Sequence, residues 1–195
     1  MTRSIALFIA VLALAGCQRT LFEHAPVAAG PCDPDLVGAW WSEGEKRAED
    51  GELKAFVSAG CELYVVEREN DGDKRSPPTQ LHTGRAGGVR YLWVDAAWAN
   101  RAFEVDAGAI DHAGDVYLYA YASSRDVLRV ATPPHRALAH RVIDKDIPGE
   151  VSMLGDELAV RVTGDDASIR KTLSKHRVFR MDEALRFRRA REPAR

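Results

Sequence analysis

From residue 36 onward, apolar positions recur in short alternating runs, the period-two pattern of β-strands. Residues 116–122 carry it most plainly. Val116, Leu118 and Ala120 share one face, while Tyr117, Tyr119 and Tyr121 share the other. Apolar side chains on both faces predict a central strand covered on each side, or the wall of a barrel. A second run at 127–131 follows the polar Ser123-Ser124-Arg125-Asp126, so the two runs predict a hairpin. Further strands are predicted at 36–42, 61–67, 89–95 and 101–105, with turn signals at Asn70-Asp71-Gly72-Asp73 and Pro77-Pro78.

Beyond Ala131 the rhythm changes. Thr132-Pro133-Pro134 offers an N-cap and first-turn prolines, and Ala137, Leu138, Arg141 and Val142 continue at helical spacing until Pro148-Gly149. A hairpin is predicted from 150–153 to 158–163, across Gly155-Asp156. Gly164-Asp165-Asp166 opens a second helix, with acidic residues at its positive end and Lys175 and His176 at its negative end. Its Ile169 and Leu173, four apart, face the core. A last short strand falls at 185–189. The fold class is α+β, mainly antiparallel β-sheet or a partly open barrel, with two short helices in the C-terminal half.

The N-terminus is organised differently. Met1-Thr2-Arg3-Ser4 precedes an unbroken apolar run from Ile5 to Ala15, then Gly16-Cys17. A basic start, a short apolar core and a small-residue exit are the parts of a secretory signal. The run covers only roughly half of a ~30 Å hydrocarbon layer. Leu14-Ala15-Gly16-Cys17 resembles the lipobox of bacterial lipoproteins. The resemblance implies cleavage after Gly16 and acylation of Cys17, and Gln18 at the next position implies sorting to the outer membrane. The expected organisation is a signal peptide at 1–16 and a lipidated N-terminus and spacer at 17–34. A β-rich domain at 35–189 and a basic tail at 190–195 follow.

Three cysteines are awkward in an exported protein until Cys17 is assigned to lipid, which leaves Cys32 and Cys61 as an even pair in an oxidising compartment. Neither sits in a C-x-x-C or beside a His at ligand spacing, so a disulfide is expected rather than a metal or redox site.

Composition narrows the function classes. The 195 residues carry 27 basic and 29 acidic side chains, a net charge of −2, with 46% hydrophobic residues. This is globular, and not basic enough for a nucleic-acid partner. The charge is uneven: residues 170–195 hold ten Lys or Arg against three acidic residues. Arg186, Arg188, Arg189 and Arg191 are therefore candidates for contact with an anionic surface.

Catalytic motifs are missing. There is no G-x-S-x-G, no G-x-x-x-x-G-K and no H-E-x-x-H, so no enzyme, cofactor or metal is expected. His135 and His140, about 140° apart on a helix, read as solvated residues. Asp111-His112-Ala113-Gly114-Asp115 has the composition of a turn, as does Asp71-Gly72-Asp73.

Aromatic residues remain. Trp40, Trp93, Tyr117, Tyr119 and Tyr121 are candidates to face a ligand, although a sheet core needs the same side chains. Gly38-Ala39-Trp40 resembles the G-x-W of lipocalins, which implies a barrel base closed by the tryptophan and covered by an arginine near the chain end, here Arg186 or Arg188. The leading expectation is a non-enzymatic lipoprotein, anchored in the outer membrane and facing the periplasm, that binds an envelope component or protein partner. The alternatives are a lipocalin-like carrier of a lipid or other apolar ligand, and a periplasmic inhibitor of a hydrolase such as lysozyme, presenting the loop 111–115.

Overall fold

The computed structural model describes residues 18–43, 53–69, 72–103, 105, 110–154 and 157–190. Among the described residues thirteen strands form one sheet, almost wholly antiparallel. In chain order they are β1 (Gln18–Phe22), β2 (Gly38–Ser42), β3 (Leu53–Val57), β4 (Glu62–Glu69), β5 (Gly72–Arg75), β6 (Thr79–Gln80) and β7 (His82–Ala86). There follow β8 (Val89–Asp95), β9 (Val116–Ser124), β10 (Val127–Ala131), β11 (Gly149–Leu154), β12 (Glu157–Val162) and β13 (Leu185–Arg189). Helices α1 (Ala96–Ala102), α2 (His135–Ile143) and α3 (Asp166–Lys175) complete the α+β fold.

The sheet curls without closing into a continuous ladder. Its main path runs β11-β12-β1-β9-β10-β13-β2-β3-β4-β5. From β9, a branch through β8 and β7 turns back toward β4, which pairs with the two residues of β6. Leu81 spans from β6 to β7 and donates its N–H to the Cys61 carbonyl at 2.8 Å.

Strand β9 divides the core as its alternation predicts. Tyr117, Tyr119 and Tyr121 point inside the curl with Trp40, Leu63, Val65, Leu92, Val94, Leu128, Val130 and Phe187. Leu118 and Ala120 point outward with Tyr91 and Trp93, against Leu138 and Val142 of α2 and Ile169 and Leu173 of α3. Each face is therefore buried, the inner by the curl and the outer by helices.

The predicted strands at 89–95, 127–131 and 185–189 form with those bounds, and the hairpin 116–131 pairs Val127 with Ser124 and Ala131 with Ala120. Other expectations need correction. The segment expected as a spacer begins with a strand inside the sheet: β1 runs parallel to β12, from Gln18 beside Leu158 to Phe22 beside Val162, and Leu21 and Phe22 have no exposed surface. Every in-register residue of β1 has a hydrogen-bonding strand beside it, which its polar Gln-Arg-Thr start conceals. Of residues 101–105, expected as a strand, Arg101 and Ala102 instead end α1 and Phe103 is its C-cap, while 104 lies outside the described residues. There the Asp95 carboxylate caps the helix by accepting from the Trp98 N–H at 2.7 Å, and alanine favours helix. A third helix thus joins the two expected. The first of those starts two residues late, since Pro134 rather than Thr132 is its N-cap and no side chain caps it.

Cys32 and Cys61 are bonded, with Cα atoms 5.4 Å apart, tying the segment after β1 to the start of β4. Among the described residues no helix is long and apolar enough to cross a membrane. Cys17 and Arg191 lie outside the described residues.

Candidate functional site

The five aromatic candidates do not converge. Trp40, Tyr117, Tyr119 and Tyr121 line the inside of the curl, but Trp93 is on the opposite face, stacked on His82 at 5.6 Å between ring centres. Those inside are packed and paired. Trp40 Nε1 donates to the Leu36 carbonyl at 2.7 Å, Tyr117 to Asn100 Oδ1 at 2.8 Å, and Tyr121 to Asp33 Oδ2 at 2.7 Å. Burial pushes the Tyr117 hydroxyl up to about 12 and raises those of Tyr119 and Tyr121 as well, so all three stay neutral donors. Burial here serves packing.

The arginine over Trp40 is Arg189, one residue beyond Arg188. Register explains it: Arg189 pairs with Trp40 across β13 and β2, whereas Arg188 pairs with Trp41 and points outward. The Arg189 guanidinium lies 4.3 Å from the Trp40 ring centre and donates to the carbonyls of Asp35, at 2.9 Å, and Val37. Arg186 and Arg188 are exposed and share the carboxylate of Glu43.

The loop 111–115 is a turn, as expected, but its carboxylates face inward. Asp111 takes Arg19 at 3.2 Å and Asn100 at 2.9 Å. Asp115, 1% exposed, takes the Arg161 Nε at 2.9 Å and the His112 N–H at 3.0 Å. Such a loop does not offer its carboxylates to an enzyme cleft. His135 departs from expectation too: it packs on β1, sharing a 2.9 Å hydrogen bond with Thr20 Oγ1, and burial depresses its pKa to about 4. Among the described residues no group of three or more His, Cys, Asp or Glu side chains is placed to hold a metal ion. Asp71 lies outside them, while Gly72 and Asp73 belong to β5.

What sequence reading missed is a groove of about 520 Å³ between the outer sheet face and α3. One wall is the β7–β8 hairpin. Its two-residue turn is Gly87-Gly88, with φ of 56° and 80°, between the paired Ala86 and Val89. Positive φ at both positions is what a type I′ turn requires, and glycine adopts it without strain. The floor is Tyr91 and Ala120. The opposite wall is Leu173 of α3 with Phe179 and Met181 beyond it, Phe179 meeting Tyr91 edge to face at 6.0 Å. Burial raises the Tyr91 pKa, so its phenol is neutral.

Above this apolar trough stands a cationic rim of Arg170, Lys171 and Arg177. Arg170 is committed, donating to the Pro26 carbonyl at 2.6 Å. Lys171 and Arg177 are exposed and have no ion-pair partner among the described residues. Arg177 occupies an unusual place. It follows the α3 cap residue His176 with φ of 47°, and the bonds Val178 N–H to Leu173 O and Arg177 N–H to Ser174 O form a Schellman ending, where glycine is the usual occupant.

Chemically, the groove offers apolar contact below and positive charge above, the complement of an amphiphile with an anionic head. No protein-family model matches the chain, and no curated protein or solved structure is significantly similar to it.

Proposed function

We propose that this chain is a non-enzymatic lipoprotein, anchored at Cys17 in the outer membrane and facing the periplasm, whose domain binds an anionic amphiphile in the groove beside α3. The observation that carries the binding reading is the trough of Tyr91, Ala120, Leu173, Phe179 and Met181 under Lys171 and Arg177, which have no ion-pair partner among the described residues. The lipobox Leu14-Ala15-Gly16-Cys17 supports the anchor, and the Cys32–Cys61 disulfide fits an oxidising compartment. Acyl chains on Cys17 hold the protein stably on a bilayer, at about 0.8 kcal/mol per buried methylene.

The test is titration with the fluorescent fatty acid 11-(dansylamino)undecanoic acid and its methyl ester. The acid binds with enhanced, blue-shifted emission and the neutral ester binds more weakly. The exposed pair Lys171→Glu and Arg177→Glu weakens the acid by about tenfold or more, the equivalent of about 1.4 kcal/mol. Equal binding of acid and ester, or none, removes the reading.

A second reading, the lipocalin-like carrier, has its own support in the Trp40–Arg189 stack and in the meander β2-β3-β4 through β8-β9-β10 to β13. In that reading a ligand displaces side chains now packed inside the curl, and the Lys171 and Arg177 substitutions leave its affinity unchanged.

A further inference from the structure

A second cationic feature lies on the outer sheet face where no helix covers it. Strands β10 and β13 pair so that Arg129 is directly opposite Arg186, and Arg188 follows two residues along on the same face. Like charges opposed across a ladder cost stability, so the arrangement needs a reason. Glu43 neutralises part of it, by taking Arg186 at 3.1 Å and also Arg188. Arg129, which is exposed, has no hydrogen-bond or ion-pair partner among the described residues.

The two arginines line a cleft of about 330 Å³ with Ala122, Ser123, Ser124 and Val127. Register makes the space. Ala122 is the β9 neighbour of Arg129, and Ser124 that of Val127, so small side chains flank the guanidinium where larger ones would fill the cleft. The Ser123 hydroxyl is committed to Asp35 at 2.8 Å, and the Ser124 hydroxyl makes only a long 3.4 Å bond to the Val127 carbonyl. Helical cover reaches Ala131 of β10, which is buried, but not Arg129.

We infer that this cleft is a binding site for a phosphate-class oxyanion. A guanidinium presents its donors as a planar fork that matches two oxygens at once. Arg129 offers its whole fork, and Arg186, whose Nε takes Glu43, offers its remaining Nη donors, so an anion meeting both needs three or more acceptor oxygens. A tetrahedral phosphate supplies them, whereas a carboxylate has only two oxygens, and Glu43 already spends one on Arg186 and the other on Arg188. A bound anion offsets the repulsion between the opposed Arg129 and Arg186. The source is either a soluble phosphate ester or the headgroup of an anionic phospholipid, which present the same oxygens. The cleft shares no lining residue with the groove beside α3, so its test stands apart from the proposed function.

The experiment uses the full mature chain in detergent, titrated with inorganic phosphate against chloride at constant ionic strength and followed by calorimetry and thermal midpoint. Phosphate binds and raises the midpoint above the chloride control. Arg129→Gln abolishes that response while its midpoint in chloride equals or exceeds that of the parent, because a like-charge pair is gone. Arg129→Lys, which keeps the charge without the fork, retains a weakened response. A second arm measures sedimentation with phosphatidylglycerol vesicles against phosphatidylcholine vesicles. Loss of phosphatidylglycerol binding in Arg129→Gln assigns the headgroup source, and phosphate binding without an Arg129-dependent vesicle effect assigns a soluble ester. Phosphate acting no differently from chloride, or a phosphate response intact in Arg129→Gln, overturns the site.

Discussion

Arg189 lies over the indole of Trp40, 4.3 Å from the ring centre, and its guanidinium also closes on two carbonyls of the turn leading into β2. One side chain from the last strand thus seals the first strand of the meander. The partner that makes this possible is Gly38. Its φ is +126°, and a Cβ there would meet the Arg189 guanidinium nitrogen at 2.6 Å. The Gly-Ala-Trp triplet is therefore explained by geometry: the glycine leaves room for the arginine, and the tryptophan receives it.

Removing that seal destabilises the protein. A partly buried cation–π contact is worth about 1–2 kcal/mol and each carbonyl bond about 1 kcal/mol. Arg189→Ala is expected to cost roughly 2–3 kcal/mol, measured by urea unfolding, and Arg189→Lys recovers only the smaller part because lysine lacks the fork. Gly38→Ala costs a comparable amount through strained φ and overlap.

Opening the Cys32–Cys61 bridge frees a loop of 29 residues' separation. The chain-entropy relation gives roughly 3.5 kcal/mol for a loop of about that size. Unfolding of the Cys32→Ser, Cys61→Ser double variant, or of the parent with a reductant, is expected to show a loss of this order. A loss below about 1 kcal/mol contradicts the role assigned to the bridge.

His135 makes stability depend on pH. Its folded pKa is about 4, whereas an unfolded histidine titrates near 6.5, so between these values the unfolded state holds the extra proton. The stability contribution is complete above about pH 6.5 and is lost as pH falls toward 4, by on the order of 3 kcal/mol. Thermal midpoints of the parent and of His135→Gln, which keeps a partner for Thr20, are expected to diverge in slope across this window. Parallel curves contradict it.

Arg177 is expected to trade stability for binding. Glycine is at ease with the left-handed backbone that ends α3, and arginine there is disfavoured by about 1 kcal/mol. Arg177→Gly therefore raises the thermal midpoint, by roughly 2–4 °C for a domain of this size, while weakening the anionic probe. A variant that lowers the midpoint, or binds the probe as well as the parent, shows that this position is not held for the groove.

How much of this was written in the sequence depends on distance along the chain. Period-two alternation at 116–122 disclosed both β9 and its double burial, and the turn beside it disclosed β10. Helix α3 announced itself through Asp165, whose carboxylate accepts the Ser168 N–H at 2.8 Å. Strand β1 did not. Its pattern Gln-Arg-Thr-Leu-Phe is polar at one end because Arg19 and Thr20 find partners in Asp111 and His135, more than ninety residues away, and its main neighbour β12 lies still farther along. Parity alone could not separate Trp40 from Trp93 either, since which face is inner depends on pairing register. The groove was hidden for the same reason. Residues 86–91, 120 and 170–181 share no spacing, and only the packing of α3 on the outer face brings them together.

The early start of β1 has a mechanical consequence. Gln18 is already paired with Leu158 of β12 in the sheet, and a single peptide unit, about 3.8 Å, joins it to residue 17. Were Cys17 acylated as proposed, the protein would have no stalk and would ride flush against the leaflet, with its tilt dictated by the direction of one strand. The β11–β12 hairpin, whose Met153 and Leu158 stand level with Gln18 and whose Met153 is 62% exposed, is then the edge that meets the lipid first. Cargo would have to arrive at the body, because the body cannot reach out for it.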